Sequence, residues 1–271
     1  MIKKQFEKEL VISATCSKST ASKKADVLKI QSWLNLFALT HPDSGTATAI
    51  DGDFGPSTDK AVKNFQKFYS LSPNGVVDNA LFSRMADPLN KAFTAKGKAT
   101  DLRSLIVEIA QAHLAQHPYE LVINNQSNSG PWVRSYMDGN EGKEWYWCMG
   151  FVQTILDQAA SQLGKDFRTL MPLTYSCDTV GVTGIHKGLL IRSKDVRNNP
   201  SLVKPGDIFL LQKSPTDWYH TGFVTGVDND IFETIEGNTN TDGSANGNGV
   251  YKRTRNFRKQ TLDVFSIKPL V

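Results

Sequence analysis

The chain has 271 residues, of which 39% are hydrophobic and 21% charged, and a formal net charge of +4. This length favours two domains with ordinary buried cores. The mild basicity suits an anionic polymer, but no run of Lys or Arg is long enough for a nucleic-acid-binding arm. The cysteines, Cys16, Cys148 and Cys177, are too few for a disulfide framework, and none has zinc-ligand spacing.

The first residues predict neither a secretory signal nor a membrane-spanning helix. The chain begins with basic residues, but charges continue to Glu9 and no apolar stretch follows. We therefore expect synthesis in the cytoplasm and no membrane insertion, with delivery by another system if the substrate lies outside. Residues 1–25 end in a polar, small-residue stretch, and we expect a flexible arm in which Cys16 is a bystander thiol.

Residues 26–86 predict three short helices. Apolar side chains recur at spacings of three and four between Val27 and Phe37, which indicates one face of an amphipathic helix. A tight turn precedes the second helix, for which Ser57 is the expected N-cap, and Asp78 is the expected N-cap of the third. Asp87-Pro88 is expected to end that helix, and residues 87–99 read as a short basic linker.

One motif in this region is long enough to carry a family resemblance. Asp51-Gly-Asp-Phe-Gly-Pro-Ser-Thr-Asp-Lys-Ala-Val-Lys-Asn-Phe-Gln66, followed by Gly75-Val-Val-Asp78, closely resembles the DGxFGPxTxxAVxxFQ pattern of the three-helix peptidoglycan-binding domain. The resemblance implies an all-α module over residues 26–86 that binds the bacterial cell wall. Asp51 and Phe54 are its candidate substrate-binding residues, although an aromatic residue at this spacing also suits a core.

After the linker, Thr100 is the expected N-cap of a further helix. Residues 124–132 are rich in Asn, Ser and Gly, which is typical of a loop, and we expect this loop to form the rim of a substrate groove, with Trp132 as a binding residue. Residues 138–141 could hold calcium by composition. Some related lysin domains bind calcium just before the cysteine, but their acidic residues do not recur here at matching offsets. We predict no metal and no cofactor.

The pattern around Cys148 predicts a nucleophilic cysteine near a helix start. Aromatic residues crowd before it, and apolar residues follow at helical spacing to Leu163. A helix N-terminus lowers the pKa of a thiol, and its unpaired N–H groups can stabilise an oxyanion. We expect Trp147 to line the substrate groove. Core packing is the alternative for Trp145, Tyr146 and Trp147, and we expect it for at least one of them.

The C-terminal half predicts an antiparallel sheet that follows helices, which is typical of an α+β domain. His220 begins one strand and is the candidate base. The hairpin turn predicted at 228–230 places Asn238 almost opposite His220 and Glu236 about two residues from it, so either could orient the imidazole ring. The register alone favours Asn238. The predicted strands are 208–211, 220–227, 231–235, 249–255 and 262–267.

Short stretches spread over residues 125–267 resemble the CHAP family of the NlpC/P60 group, the cysteine, histidine-dependent amidohydrolases and peptidases. This implies a papain-like domain over residues 100–271 that cleaves peptidoglycan amide bonds, with the family's Cys, His, Glu and Asn at Cys148, His220, Glu236 and Asn238. By family, Glu236 orients the histidine and Asn238 assists; the segment 164–202 matches less well. The stretches are Gly130-Pro-Trp-Val133, Trp147-Cys-Met-Gly-Phe-Val152, Lys204-Pro-Gly-Asp-Ile208, His220-Thr-Gly-Phe-Val224, Glu236-Gly-Asn-Thr-Asn240 and Gly247-Asn-Gly-Val250.

The resemblances together imply a peptidoglycan hydrolase, either an N-acetylmuramoyl-L-alanine amidase or a stem-peptide endopeptidase. Two biological roles are open, a phage endolysin released by a holin and an antibacterial effector injected by a secretion system and paired with an immunity protein. The alternative from another class is a wall-binding or virion structural protein without activity. We expect peptidoglycan as the partner, and no nucleic acid.

Overall fold

The computed structural model describes residues 1–228 and 230–271, and it divides into two compact units that are each built from separate segments of the chain. The helical unit comprises Lys4–Asn90 and Tyr119–Trp145, and the sheet unit comprises Met1–Lys3, Lys91–Pro118 and Tyr146–Val271. The turn predicted at 228–230 includes Asn229, which lies outside the described residues.

Helices dominate the first half of the chain and strands the last third. The helices are α1 (Phe6–Glu9), α2 (Lys24–Thr40), α3 (Pro56–Phe68), α4 (Asn79–Met85), α5 (Asp87–Thr94), α6 (Leu102–Leu114), α7 (Pro131–Tyr136), α8 (Cys148–Gln162), α9 (Cys177–His186) and α10 (Ser193–Asn198). The strands are β1 (Leu121–Ile123), β2 (Gln126–Ser129), β3 (Leu190–Ile191), β4 (Ile208–Ser214), β5 (Asp217–Asp228), β6 (Ile231–Thr239), β7 (Gly249–Asn256) and β8 (Leu262–Phe265).

The predicted α+β class is confirmed. The sheet unit holds a six-stranded sheet in the order β3-β8-β4-β5-β6-β7, and each neighbouring pair in it is antiparallel. One side of this sheet is covered by a cluster of buried apolar residues that includes Phe209, Phe232 and Phe257. Helix α8 packs against β5 and β6, so its first residue and the facing strands can share one site.

The helical unit has the cap and turn chemistry that tight helix junctions need. The Asp78 carboxylate accepts a hydrogen bond from the Leu81 N–H at 2.8 Å, so Asp78 caps α4 as predicted. Helix α3 begins at Pro56 with Gly55 as its N-cap, not Ser57, because proline at the first helical position loses no hydrogen bond. Gln31 of α2 donates to the Asp51 carboxylate at 2.8 Å and thereby ties α2 to the turn before α3.

The flexible arm expected over residues 1–25 is instead packed and partly helical. Phe6, Ile12 and Cys16 are buried. Cys16 and Val77 exchange backbone hydrogen bonds of 2.9 Å in each direction, as an isolated antiparallel bridge. The polar composition that suggested an arm belongs mainly to the turn before α2, whereas the scattered apolar residues upstream find partners only after folding.

The linker expected over residues 87–99 begins with helix α5. Pro88 does not stop this helix because it occupies the first turn, where its missing N–H costs no intrahelical bond. Leu89, Ala92 and Phe93 are buried, and their spacing gives the helix one apolar face. In the sheet unit, the Gln158 side chain donates to the carbonyls of Ala92 at 3.0 Å and of Ala95 at 2.9 Å, so this part of the segment is tied to α8.

The loop expected over residues 124–132 is a β-hairpin followed by helix α7. Ile123 pairs with Gln126, and the two residues between them, Asn124 and Asn125, have φ angles of 51° and 60°. Asparagine tolerates this left-handed conformation, which two-residue hairpin turns require. Of the described helices, none is long and apolar enough to cross a membrane.

Candidate active site

Cys148 is the first residue of α8, and Trp147 is its N-cap. The thiol is nearly buried, with 3% of the residue exposed. A hydrogen bond from the Met149 backbone N–H to the Cys148 sulfur helps to lower the pKa of the thiol, after the larger contributions of Cys177 and His220. The first N–H groups of a helix have no intrahelical partner, so the sulfur lies where a negative charge is favoured. The helix begins three residues later than the predicted start near Trp145.

His220 lies on β5 and is fully buried. Its Nε2 is 2.9 Å from the Glu236 Oε2, and this contact fixes which ring nitrogen faces the carboxylate. Its Nδ1 is buried and makes no hydrogen bond with the described residues. Nδ1 is therefore the nitrogen available to exchange a proton with the Cys148 thiol, whose interaction with His220 shifts the pKa of both groups.

Glu236 on β6 is fully buried, but each of its carboxylate oxygens is hydrogen-bonded. Thr234 Oγ1 donates to Oε1 at 2.5 Å, and Arg255 Nε donates to the same oxygen at 2.8 Å. Arg255 Nη2 donates to Oε2, the oxygen that also contacts His220. A buried charge is tolerable only with such pairing, so Arg255 and Thr234 hold the carboxylate ionised and in place.

Thr234 and Arg255 belong to the site but were not predicted from the sequence. A signal for Thr234 was present, because residues two apart on a strand share a face and Thr234 therefore lies beside Glu236. Arg255 could be found only from the pairing of β6 with β7, which matches Phe232 with Arg255. From that position the long arginine side chain reaches the carboxylate of Glu236.

The electrostatics of the site favour an ion pair between Cys148 and His220. A hydrogen bond with Cys177 is the largest cause that lowers the pKa of Cys148 well below its usual range; burial opposes it and His220 adds to it. Burial alone would lower the pKa of His220, but Cys148 and Glu236 outweigh it and raise the pKa to about 9. Burial likewise opposes ionisation of Glu236, yet His220 and Arg255 bring its pKa to about 2.

Within the described residues Asn238 makes no hydrogen bond with His220, contrary to the expectation from the strand register. Its φ of 56° takes the backbone out of the extended conformation at the end of β6. In the orientation that gives both atoms of the side-chain amide a hydrogen-bond partner, its nitrogen donates to the Gly247 carbonyl at 2.8 Å and its oxygen accepts from the Trp147 N–H at 3.2 Å. Asn238 thus holds the residue just before Cys148, while Glu236 contacts the histidine.

Three of the four predicted substrate-binding residues are buried. In the sheet unit Trp147 is 0% exposed. In the helical unit Trp132 is also in a core, where its ring makes an edge contact with Trp33 at 6.1 Å between centroids, and Phe54 is buried as well. Asp51 is exposed, but its carboxylate accepts from the Asp53 N–H at 2.9 Å and from Gln31. The contact with Asp53 is the largest cause of its lowered pKa.

Two exposed tyrosines of the sheet unit, not predicted as binding residues, line the cleft at Cys148. Tyr146 and Tyr219 are 47% and 50% exposed, and both line a cleft of about 420 Å³ that contains Cys148. Of the three aromatic residues before the cysteine, Trp147 is therefore core, as expected for at least one, and Tyr146 lines the cleft. The other residues that line it are Tyr175, Ser176, Cys177, Asp178, Trp218, Ala245 and Asn246.

The described residues contain no group of three or more His, Cys, Asp or Glu side chains placed to hold a metal ion. In the segment considered for calcium, the Glu141 carboxylate is occupied within the helical unit. It accepts from Arg134 Nη1 at 2.8 Å and from the Gly130 N–H at 2.7 Å.

Comparison with known proteins identifies the N-terminal region. Residues 23–85 match the family described as "Putative peptidoglycan binding domain". The chain carries a peptidoglycan-binding domain. It is also 42% identical over 45 residues to the zinc D-Ala-D-Ala carboxypeptidase of Streptomyces albus G, a stretch that covers 17% of this chain and 18% of that protein. No solved structure matches the chain.

Proposed function

We propose that this chain is a peptidoglycan hydrolase that cleaves an amide bond through a cysteine nucleophile. The observation that carries the proposal is the buried contact of His220 with Glu236 at 2.9 Å, together with the interaction of His220 with Cys148, the first residue of α8. A cysteine, a base and a group that orients the base are the parts that covalent amide hydrolysis needs. The peptidoglycan-binding domain of the same chain points to the substrate.

In the first step, the Cys148 thiolate attacks the amide carbonyl carbon. The negative charge moves to the carbonyl oxygen, which the unpaired N–H groups at the start of α8 can stabilise. His220 enters this step as the imidazolium, because Glu236 and Cys148 raise its pKa. It then gives its Nδ1 proton to the leaving amine as the C–N bond breaks, which leaves a thioester on Cys148.

In the second step, neutral His220 takes a proton from water through Nδ1, and the hydroxide attacks the thioester carbon. The C–S bond breaks, its electron pair returns to the Cys148 sulfur, and the product leaves as a carboxylic acid. Glu236 keeps the ring in one tautomer throughout, because Nε2–H donates to its Oε2. The imidazolium and thiolate pair is then restored for the next turnover.

The chemistry is the same for the bond between N-acetylmuramic acid and L-alanine and for bonds within the stem peptide. The chain could therefore act as an N-acetylmuramoyl-L-alanine amidase or as an endopeptidase. Tyr146 and Tyr219 offer exposed rings beside Cys148 for packing against the sugar or the peptide. Mass spectrometry of muropeptides released from purified sacculi identifies the new termini and thus the bond.

A zinc-dependent peptidase is the competing enzyme class, since the similar carboxypeptidase is named for zinc. The described residues do not supply a zinc ligand set, so we expect the clearing of sacculi to persist in a chelator such as EDTA and to stop after alkylation of Cys148. Loss of clearing in EDTA that returns with added zinc would refute the cysteine mechanism.

Substitution of the nucleophile tests the proposal against a non-catalytic wall-binding or virion structural protein. We expect Cys148→Ala to abolish clearing of sacculi while the protein still pellets with them. Cys16→Ala is the matched control, because Cys16 is also a buried free cysteine but lies in the helical unit. Clearing that survives Cys148→Ala, or an unsubstituted chain that pellets with sacculi without clearing them, would refute the proposal.

We further propose that the protein acts in the periplasm or cell wall after delivery from the cytoplasm. A phage endolysin released by a holin and an injected antibacterial effector with an immunity protein both fit this placement. Expression in a Gram-negative bacterial host with and without an export signal tests it. We expect lysis only for the exported form and only with Cys148 intact, and equal lysis by the form retained in the cytoplasm would contradict the placement.

A further inference from the structure

A second cysteine lies beside the proposed nucleophile. Cys177 Sγ is 4.0 Å from Cys148 Sγ, and both residues are buried. Each cysteine is the first residue of its helix, Cys148 of α8 and Cys177 of α9, and both are free thiols. The distance is within the range of a hydrogen bond between sulfurs, so one thiol can donate to the other.

The surroundings of the two sulfurs decide which one carries the negative charge. Cys148 interacts with His220 and receives the Met149 N–H, and both interactions favour a thiolate. The hydrogen bond with Cys148 and burial raise the pKa of the Cys177 thiol well above its usual range, and the charge of the neighbouring Asp178 adds to this. Asp178 is held in the cleft wall because its Oδ1 accepts from the Trp218 N–H at 2.6 Å. Cys148 is therefore the acceptor and Cys177 the donor.

We propose that Cys177 is a further catalytic residue, whose S–H donates a hydrogen bond to the sulfur of Cys148 whenever that sulfur carries negative charge. Its part in catalysis rests on the proposed function, since it acts on the same nucleophile. Cys177 differs from the groups already described because it contacts the reacting atom directly and does not act through His220. It also lines the cleft, next to the position that the substrate would occupy.

The hydrogen bond acts at two points of the reaction. Before attack it increases the fraction of Cys148 present as thiolate. It also lowers the nucleophilicity of each thiolate, but by less than the thiolate fraction rises. During release of the acyl group, the C–S bond breaks and its electron pair returns to the Cys148 sulfur. The Cys177 S–H then stabilises the departing thiolate, because a thiol of lower pKa is a better leaving group.

The test is the pH dependence of Cys148 alkylation by iodoacetamide, which needs no peptidoglycan. Each protein is reduced and freed of reductant, and the modified cysteine is identified by peptide mass spectrometry. In Cys177→Ala we expect the half-point of the profile to rise by about one pH unit, so that the thiolate fraction at acidic pH falls about tenfold. Cys177→Ser keeps a donor and should restore most of the loss, and Cys16→Ala should change nothing.

Three results would overturn the proposal. They are an unchanged profile in Cys177→Ala, a serine variant that behaves like the alanine variant, and preferential alkylation of Cys177 in the unsubstituted chain. Near-ultraviolet circular dichroism of each variant checks that the fold is retained. A chain that fails to clear sacculi but shows the Cys177-dependent profile would refute the proposed function alone, and a chain that clears sacculi without that profile would refute this inference alone.

Discussion

Replacement of Glu236 by glutamine tests the electrostatic basis of the site. Glutamine preserves the shape of the side chain but removes the charge that pairs with His220 and Arg255. Arg255, with a side chain only 4% exposed, is then left buried without its ion pair. Glu236 raises the pKa of His220 through a hydrogen bond and through its charge. Glutamine weakens the hydrogen bond and removes the charge.

The magnitude follows from the pKa of Glu236, which lies at about 2 instead of 4.5. This difference corresponds to roughly 3 kcal/mol of folding free energy, in line with the ~3–5 kcal/mol lost when one partner of a buried ion pair is removed. We expect Glu236→Gln to lower the rate of sacculus clearing by roughly 10²–10⁴-fold, the range in which general acid–base groups contribute, since the imidazolium of His220 is then stabilised by Cys148 alone.

The two shifted pKa values stabilise the fold over different pH ranges. The raised pKa of His220 stabilises the fold fully below about 6.5, and this contribution is lost as the pH rises through about 9. The lowered pKa of Glu236 stabilises it above about 4.5, and this is lost as the pH falls toward about 2. The stability difference between the parent and Glu236→Gln should therefore be largest between about pH 4.5 and about pH 6.5. Urea unfolding across a pH series measures it.

Glu233→Gln is the matched control. Glu233 lies on the same strand, but its side chain is 48% exposed and pairs with Lys252, whose side chain is 59% exposed, so its charge should contribute little. We expect parent-like clearing, unfolding and pH dependence in this variant. If Glu236→Gln clears sacculi at the parent rate with an unchanged alkaline limb near pH 9, Glu236 does not control His220 and the reasoning is wrong.

Three other substitutions separate structural roles from contact with the substrate. Asn238→Ala should lose about 2 kcal/mol of stability, measured by urea unfolding, because two hydrogen bonds that hold Trp147 and Gly247 disappear; unchanged unfolding would contradict this. Phe54→Ala should cost about 3–5 kcal/mol, because it empties a core position; weaker pelleting with an unchanged unfolding curve would instead make Phe54 a binding residue. Tyr219→Ala should raise KM several-fold without changing the unfolding curve, since its ring is exposed in the cleft, and an unchanged KM would remove it from the substrate site.

Local patterns in the sequence predicted much of the secondary structure. The strands that contain His220 and Glu236 follow from runs of β-branched and apolar residues, and the observed β5 and β6 enclose the predicted ones. The peptidoglycan-binding motif was recognisable because its turn and cap residues are neighbours in the chain, and the family match at 23–85 agrees with it. Capping by Asp78 was predictable for the same reason.

Packing overruled local composition in the arm and in the linker. The stretch that contains Cys16 is polar on average, but Phe6, Ile12 and Cys16 are buried, and Cys16 forms a backbone bridge with Val77, far along the chain. Pro88 suggested a helix end, yet it stands in the first turn of a helix, where it is tolerated. Composition reports an average, whereas burial depends on which individual side chains find partners.

At the site, the sequence by itself determined the chemistry available: a cysteine at a helix start, a histidine on a strand, and a polar residue on the next strand. The tertiary structure alone decided which residues touch. The backbone of Asn238 leaves the extended conformation and takes its amide to Trp147, while Glu236 reaches His220 under the hold of Arg255. It also brought Cys177 to 4.0 Å from Cys148, because the meeting of two helix starts depends on packing and has no signature in the order of residues.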